Sequence, residues 1–333
     1  MRRPFIVAEL SCNHGGSLDT AMQLVKDCAT AGADAIKLQT WTPGTMVLDR
    51  SLVIESGPWA GRNMAELYEQ AFTPWEWHEP LFSRARSLGM IGFSSVFDTG
   101  ALEFLESIHC PMYKIASFEI VDLALILYVR STGKPIIIST GMASLGEINR
   151  ALLACEPQGP PITMLICASA YPAKAEDYDL RKRIPLARYG PWGLSDHTRG
   201  VGVGAAAAAL GAEVIEKHVT PAGYDSLDKA FSATPDEFAA YVAAIRDVAT
   251  CSPDGDCPPG SFKAGPSEAP QVALRRSLYF AKAMKAGDTI TLECLTTARP
   301  AHGMACSEMA VVIDRKVAID IQAGQPVTSK VLI

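Results

Sequence analysis

Short apolar runs rich in β-branched residues, each bounded by glycine or polar turns, recur along the first two thirds of the chain, at 5–10, 35–40, 90–97, 112–117, 135–140, 162–169, 190–197 and 213–220. Their length and flanking residues predict eight strands. Between them lie stretches with the 3.6-residue period of an amphipathic helix, at 17–31, 79–88, 102–108 and 145–154, several ending at glycine as helix C-termini do. Eight β-then-α units predict an α/β fold of the (β/α)8 TIM-barrel type. An open doubly wound sheet is the competing architecture, but no GxGxxG follows the first strand. The run VGVGAAAAALGAEVI at 201–215 contains Glu213 and is shorter than the ~20 apolar residues a membrane span needs. It reads as a tightly packed helix of a soluble protein.

A further helix is predicted over 235–249, after which CSPDGDCPPGSFKAGPSEAP is dense in Pro, Gly and Ser. Such a composition reads as a linker. The expected organisation is therefore a barrel domain over 1–252, a linker over 253–274 and a small module over 275–333. Past the linker come short strand-like runs with an internal echo, KAGDTIT at 285–291 against QAGQPVT at 322–328. A compact β-rich module of about sixty residues is near the lower limit for independent stability and is expected to lean on a partner surface.

Composition narrows the class. With 48% hydrophobic, 20% charged and 8% aromatic residues in 333, the chain is an ordinary folded protein, not a disordered, collagen-like or coiled-coil one. Thirty Lys and Arg against 36 Asp and Glu give a formal net charge of −6, which excludes a general nucleic-acid or anionic-membrane partner. An anionic substrate would need a local basic pocket. The nine cysteines are scattered without CxxC spacing, which fits a reducing cytoplasm. The start, MRRPFIVAEL, is too short for a signal-peptide core.

Barrel enzymes carry their reacting groups at the C-terminal ends of the strands, and here every predicted strand end is polar. The first gives Glu9 with Asn13 and His14 beyond it, the second Lys37, Gln39 and Thr40, the third Ser94 and Ser95, the fourth Lys114, Ser117 and Glu119. The fifth gives Ser139 and Thr140, the sixth Ser169 and Tyr171, the seventh Ser195, Asp196 and His197, the eighth Glu216, Lys217 and His218. Any one of these could be a solvated rim residue. Two lysines inside apolar strands, AIKLQT and YKIAS, would be costly to bury without an anionic partner. With the hydroxyls of Ser95, Ser117, Ser139 and Ser195 they form a candidate phosphate and carboxylate cradle. His197 and His218 end adjacent predicted strands and can meet at one divalent ion. Two protein ligands leave open positions, as a Lewis-acid site requires. The competing reading is two structural histidines hydrogen-bonded within the rim. His78, His109 and His302 have no such setting.

The segments AELSCNHGGSL, AGADAIKLQT, YKIASFE, KPIIISTGM, GLSDHT and VIEKH, in this order, resemble the sialic acid synthase family, whose members condense phosphoenolpyruvate with an acetamido sugar. SLYFAKAMKAGDTI and TTARPAHGM resemble its antifreeze-like C-terminal domain, of the SAF or β-clip type. Within the family, AELSCNH, GPWAGRNMAELYEQAFTPWEWH, YKIASFE and Ser169 in CASAYP resemble the branch that makes pseudaminic acid more than the N-acetylneuraminate or legionaminate branches. Ala168 and Ala170 around Ser169, and Val96, depart from that branch's pattern.

The resemblance implies that His197 and His218 hold a divalent metal, Mn2+ or else Co2+ or Mg2+, orienting the open-chain sugar aldehyde. It implies that Lys37, Ser95, Lys114, Ser117, Ser139 and Ser195 hold phosphoenolpyruvate. Glu9, as a catalytic group, and Gln39, Tyr171 and Asp228 would surround the sugar and the attacking water, with Glu119 and Ser169 also on the substrate side. Arg299, in the ARP of the small domain, would reach a partner subunit's barrel and bind an N-acetyl carbonyl, which implies a domain-swapped homodimer. Two rival readings remain. A metal-dependent aldolase using free pyruvate would need the histidines but no phosphate cradle. A non-catalytic carbohydrate-binding protein would need no reactive groups on all eight strands.

Overall fold

Strands β1 (Phe5–Glu9), β2 (Ala35–Thr40), β3 (Ile91–Val96), β4 (Tyr113–Ile115), β5 (Ile136–Ser139), β6 (Ile162–Cys167), β7 (Trp192–Asp196) and β8 (Val214–His218) hydrogen-bond in chain order and close into a parallel barrel. The structure, a computed structural model, describes residues 3–155, 159–251 and 263–333. Parallel strands covered by helices are buried on both faces and read as continuous apolar runs, as ITMLIC in β6 does. The helices follow from local signals. In Leu18–Ala31, Ser17 caps the Thr20 N–H, Gly32 ends the helix at φ 94°, and Ala21, Leu24, Val25 and Cys28 form the buried stripe.

The structure departs from the sequence expectation in three places. β4 spans only Tyr113–Ile115, half the expected length. The 201–215 run is a helix only over Gly202–Ala209; Gly211, at φ 88°, turns the chain into β8. Between β6 and β7 stand short helical turns ending in Arg183–Leu186, with no full-length helix.

The chain divides into two compact units, 1–254 and 255–333, and residues 253–262 of the expected linker lie outside the described residues. The second unit has its own core, built from Leu278, Phe280, Ile290, Val312, Val317 and Val327 among others. Among its described residues, regular strand is limited to β9 (Ser277–Phe280) paired antiparallel with β10 (Leu295–Ala298). Single bridges such as Met284 to Ile321 and Thr289 to Lys316 do the rest. The echo noted in the sequence is a repeated local structure: Gly287 and Gly324 adopt φ 91° and 82°, and each copy runs into a 3-10 turn, Leu292–Cys294 or Ser329–Val331. Among the described residues no helix is long and apolar enough to cross a membrane.

Candidate active site

Strand alternation decides which side chains enter the barrel. On β8, Glu216 and His218 face the interior and mouth, while Lys217 between them packs outward over the Tyr241 ring. Register then fixes neighbours: Glu9 lies beside both Lys37 and His218, and Ser195 beside Glu216.

The inner layer is a closed charge network. Lys37 is ion-paired with Glu9, lies 3.5 Å from Glu216 and donates to Ser95 Oγ at 3.0 Å. Lys114 Nζ meets the two Glu216 oxygens at 3.2 and 3.3 Å, and Ser195 Oγ donates to Glu216 at 2.9 Å. All these residues are buried. The anions that make the two lysines tolerable are thus the chain's own, Glu9 and Glu216. The two carboxylates are driven apart in acidity. Burial, opposed by Lys37 and aided by Glu216, raises Glu9 to about 7. Burial would raise Glu216 too, but Lys114 and Lys37 hold it far below the usual carboxylate range. Such a split assigns proton transfer to one group and charge balance to the other.

Hydroxyls ring this layer. Ser139 Oγ is buried with no hydrogen-bond partner, and Ser117 Oγ accepts from the Gly141 N–H at 3.1 Å. A Cβ on Gly141 would lie 2.2 Å from Ser169 Oγ and 2.8 Å from Ser117 Oγ, so the loops after β4, β5 and β6 meet where only glycine fits. In the turn after β4, Glu119 Oε2 is buried without a hydrogen-bond partner, and burial raises its carboxyl to about 7. Gln39, at the end of β2, accepts from Trp41 Nε1 at 3.4 Å.

At the mouth the His197 and His218 rings are 5.3 Å apart, centroid to centroid. His197 Nδ1 donates to Ala168 O at 2.8 Å. Burial pulls the pKa of this ring down, but Cys167 and the Ala168 carbonyl raise it above the ordinary value, so a cation bound at Nε2 would displace a proton. His218 Nδ1 is buried without a hydrogen-bond partner, and burial, then His197, pushes its pKa well below 6.5, so the ring is neutral. A neutral imidazole with an unshared nitrogen is what a divalent cation requires. Among the described residues no cluster of three or more His, Cys, Asp or Glu side chains is built to hold a metal. The pair therefore fits an open, two-ligand site and not a closed one. Asp228 Oδ2 accepts from Ser11 Oγ at 2.5 Å and stands 3.7 Å from His218 Nδ1. Tyr171 packs on His197 at 4.5 Å.

Fourteen of the fifteen expected site residues lie in the barrel unit. Arg299 lies in the small unit, exposed, just past β10. Four neighbours of the site were not anticipated. Ser11, at φ 46°, turns its N–H to Glu9 and its hydroxyl to Asp228. Cys167 is drawn down to about 7, because His197, Ser117 and Lys114 outweigh the upward effect of burial. Phe231 packs 5.0 Å from His218. Trp59, in the loop after β2, donates to Leu227 O at 3.1 Å and packs on Tyr171 and Phe231, bridging the mouth. Cys167 carried a signal as the last residue of an apolar strand, and Ser11 and Trp59 lie in the quoted segments AELSCNH and GPWAGRNMAELYEQAFTPWEWH; Phe231 carried none.

A parallel (β/α)8 barrel with its reactive groups at the C-terminal mouth, joined to a small second unit, defines the class as a two-unit barrel enzyme. The chain belongs to the NeuB family, whose model matches residues 24–256, and carries an SAF domain at 275–332. It is 37% identical to the pseudaminic acid synthase of Campylobacter jejuni subsp. jejuni serotype O:23/36 (strain 81-176), over 97% of this chain and 95% of that protein. It is also 37% identical to the pseudaminic acid synthase of Helicobacter pylori (strain ATCC 700392 / 26695), over 99% and 98%. Among solved structures it is similar to the N-acetylneuraminic acid synthetase of Leptospira borgpetersenii serovar Hardjo-bovis in complex with citrate, with a TM-score of 0.71, 28% identity and coverage of 81% of this chain and 90% of that one.

Proposed function

We propose that this chain is a carbon-carbon bond-forming transferase that condenses phosphoenolpyruvate with 2,4-diacetamido-2,4,6-trideoxy-β-L-altropyranose and water to give pseudaminic acid and phosphate. The observation that carries the reading is one barrel mouth that joins a pair of facing imidazoles to a network of two lysines, two carboxylates and an unpartnered serine hydroxyl. Pseudaminic acid synthases as full-length relatives support the choice of sugar.

His197 and His218 would hold a divalent ion, Mn2+, Co2+ or Mg2+, which supplies Lewis acidity to polarise the sugar aldehyde. Lys37 and Lys114, with Ser95, Ser117, Ser139 and Ser195, bind the phosphate and carboxylate of phosphoenolpyruvate. Gln39, Glu119, Ser169, Tyr171 and Asp228 surround the sugar. The enol double bond of phosphoenolpyruvate supplies the electron pair for a bond from its carbon 3 to the aldehyde carbon, and the aldehyde oxygen takes a proton to become a hydroxyl. Water adds to carbon 2 and loses a proton to Glu9, whose raised pKa suits a base working near neutrality. The carbon-oxygen bond to phosphate then breaks and phosphate leaves. Lysines placed for the phosphate before reaction need no reorganisation when charge shifts onto it. The enzyme works in the cytoplasm as a domain-swapped homodimer, Arg299 of one protomer binding an N-acetyl carbonyl in its partner's barrel.

The test is release of inorganic phosphate with the diacetamido trideoxy sugar and with N-acetylmannosamine as acceptors. Turnover is expected with the first. Preference for N-acetylmannosamine moves the chain to the N-acetylneuraminate branch, and turnover of free pyruvate without phosphate release makes it an aldolase.

A further inference from the structure

On the outer side of the barrel wall, behind the two histidines, lies a second polar cluster in which every residue is buried: Asp196, Lys217, Thr198 and Tyr241. Asp196 and Lys217 are the residues directly before His197 and His218, and they are paired in the β7 to β8 register. Alternation turns the histidines to the mouth and these two away from it. Asp196 Oδ1 accepts from both the backbone N–H and the hydroxyl of Thr198, each at 2.8 Å, closing a turn around residue 197. Its Oδ2 accepts from the Tyr241 hydroxyl at 2.8 Å and lies 3.4 Å from Lys217 Nζ. Lys217 donates across to Thr198 O and sits 4.7 Å over the Tyr241 ring. The end of β8 is thereby tied to the end of β7 on both sides of His197. Gly204 admits the tyrosine, since a Cβ there would lie 2.3 Å from its hydroxyl.

We propose that the Asp196, Lys217 and Tyr241 cluster is a positioning device that sets the separation of His197 and His218 for a divalent cation, an inference that rests on the metal-binding reading of those histidines. A buried ion pair is a weak source of stability, and apolar replacements of similar volume are often as good or better. What an ion pair adds is direction. Of the pair's four hydrogen bonds to other residues, three end on Thr198, directly after His197, and the fourth on Tyr241 of the helix Pro235–Cys251. On the β6 side Tyr178 accepts from the His197 N–H and the His197 carbonyl accepts from Ala173 N–H, while the His197 ring also packs 6.2 Å from Phe231, beyond β8. One residue further on, Arg199 donates to the carbonyls of Lys229, Ala230 and Ser232 beyond β8, but the cluster's bonds are the ones that act on Thr198 and Lys217 directly beside the histidines.

The test measures Mn2+ affinity by electron paramagnetic resonance of free Mn2+, on full-length protein shown to be folded by circular dichroism and cooperative thermal unfolding. Asp196→Asn/Lys217→Met removes both charges together, so neither is left buried alone. It is expected to keep its fold and bind Mn2+ about ten- to a hundredfold more weakly, the usual effect of losing an outer-shell partner. Activity should return at saturating Mn2+ with the KM for phosphoenolpyruvate unchanged. Tyr241→Phe, which deletes one hydroxyl, should weaken Mn2+ binding severalfold at unchanged thermal stability. Wild-type Mn2+ affinity in the folded double variant overturns the proposal; if that variant fails to fold, wild-type affinity in Tyr241→Phe does so. A wild-type protein that binds no Mn2+, Co2+ or Mg2+ refutes the metal reading itself, a result seen before any variant is made, and removes this proposal with it.

Discussion

Lys37 and Lys114 share one carboxylate, Glu216, but only Lys37 also holds Glu9. Replacing either by Met is expected to weaken phosphoenolpyruvate binding by at least ~2 kcal/mol, the scale for truncating one partner of a desolvated charge pair. Calorimetric titration with each substrate should show the sugar affected less; equal weakening of both would put the cradle elsewhere. The pH dependence separates the two lysines. Glu9 must be ionised to take a proton, so kcat/KM of the wild type should fall as pH drops through about 7. Removing Lys37 takes away the largest influence that lowers Glu9, so the limb should move to higher pH in Lys37→Met, and move less in Lys114→Met. The raised value also has a stability sign. Between 4.5 and about 7 the folded chain keeps a proton on Glu9 that the unfolded chain has lost, so this group lowers stability as pH rises through that window. His197→Ala and His218→Ala should be folded and nearly inactive, and chelation should abolish turnover that Mn2+, Co2+ or Mg2+ restores. Full activity in exhaustively chelated protein would reject the two-histidine metal site.

At the level of the strand, close approach is as informative as charge. A Cβ on Gly193 in β7 would lie 2.2 Å from Val214 O and 2.6 Å from a Leu165 methyl, and the carbonyl belongs to the β8 backbone. Gly193→Ala is expected to destabilise the barrel by about 1–3 kcal/mol, the range for overpacking a tight core. Urea unfolding followed by circular dichroism measures it, and an unchanged midpoint would mean that β7 and β8 can part without loss. Elements of this kind were legible because pattern carries them: all eight strands lie within the expected runs, and the helix at Leu145–Ala154 matches to the residue. The helix at 201–215 was overextended, because an Ala/Gly run has no period to mark where Gly211 turns the chain. In the candidate site, strand ends revealed the lysines, serines and histidines. Their partners were harder to see: Ser11 and Asp228 are 217 positions apart and meet only through barrel closure. Glu216 was visible as a polar residue, but its place between the two lysines depends on register across five strands, β8 through β1, β2 and β3 to β4.

At the scale of the whole molecule, the chain joins a barrel with a complete core to a small unit whose core is a dozen buried residues. Arg299 is exposed on that unit, with a guanidinium suited to an amide oxygen. The Pro- and Gly-rich stretch before it is about twenty residues, long enough to span tens of ångströms. If Arg299 serves a partner's barrel, cutting at this stretch should leave a folded but almost inactive barrel. Complementation tests the trans arrangement directly. Neither His197→Ala nor Arg299→Ala alone should be active. In a mixed dimer, one of the two composite sites pairs an intact barrel with an intact Arg299. Random subunit exchange makes half of the dimers mixed, so activity should return to roughly a quarter of wild type, given an isologous two-fold dimer. Exchange is verified by native mass spectrometry of the mixture. Verified exchange without recovery would mean that Arg299 serves its own barrel or takes no part in the site.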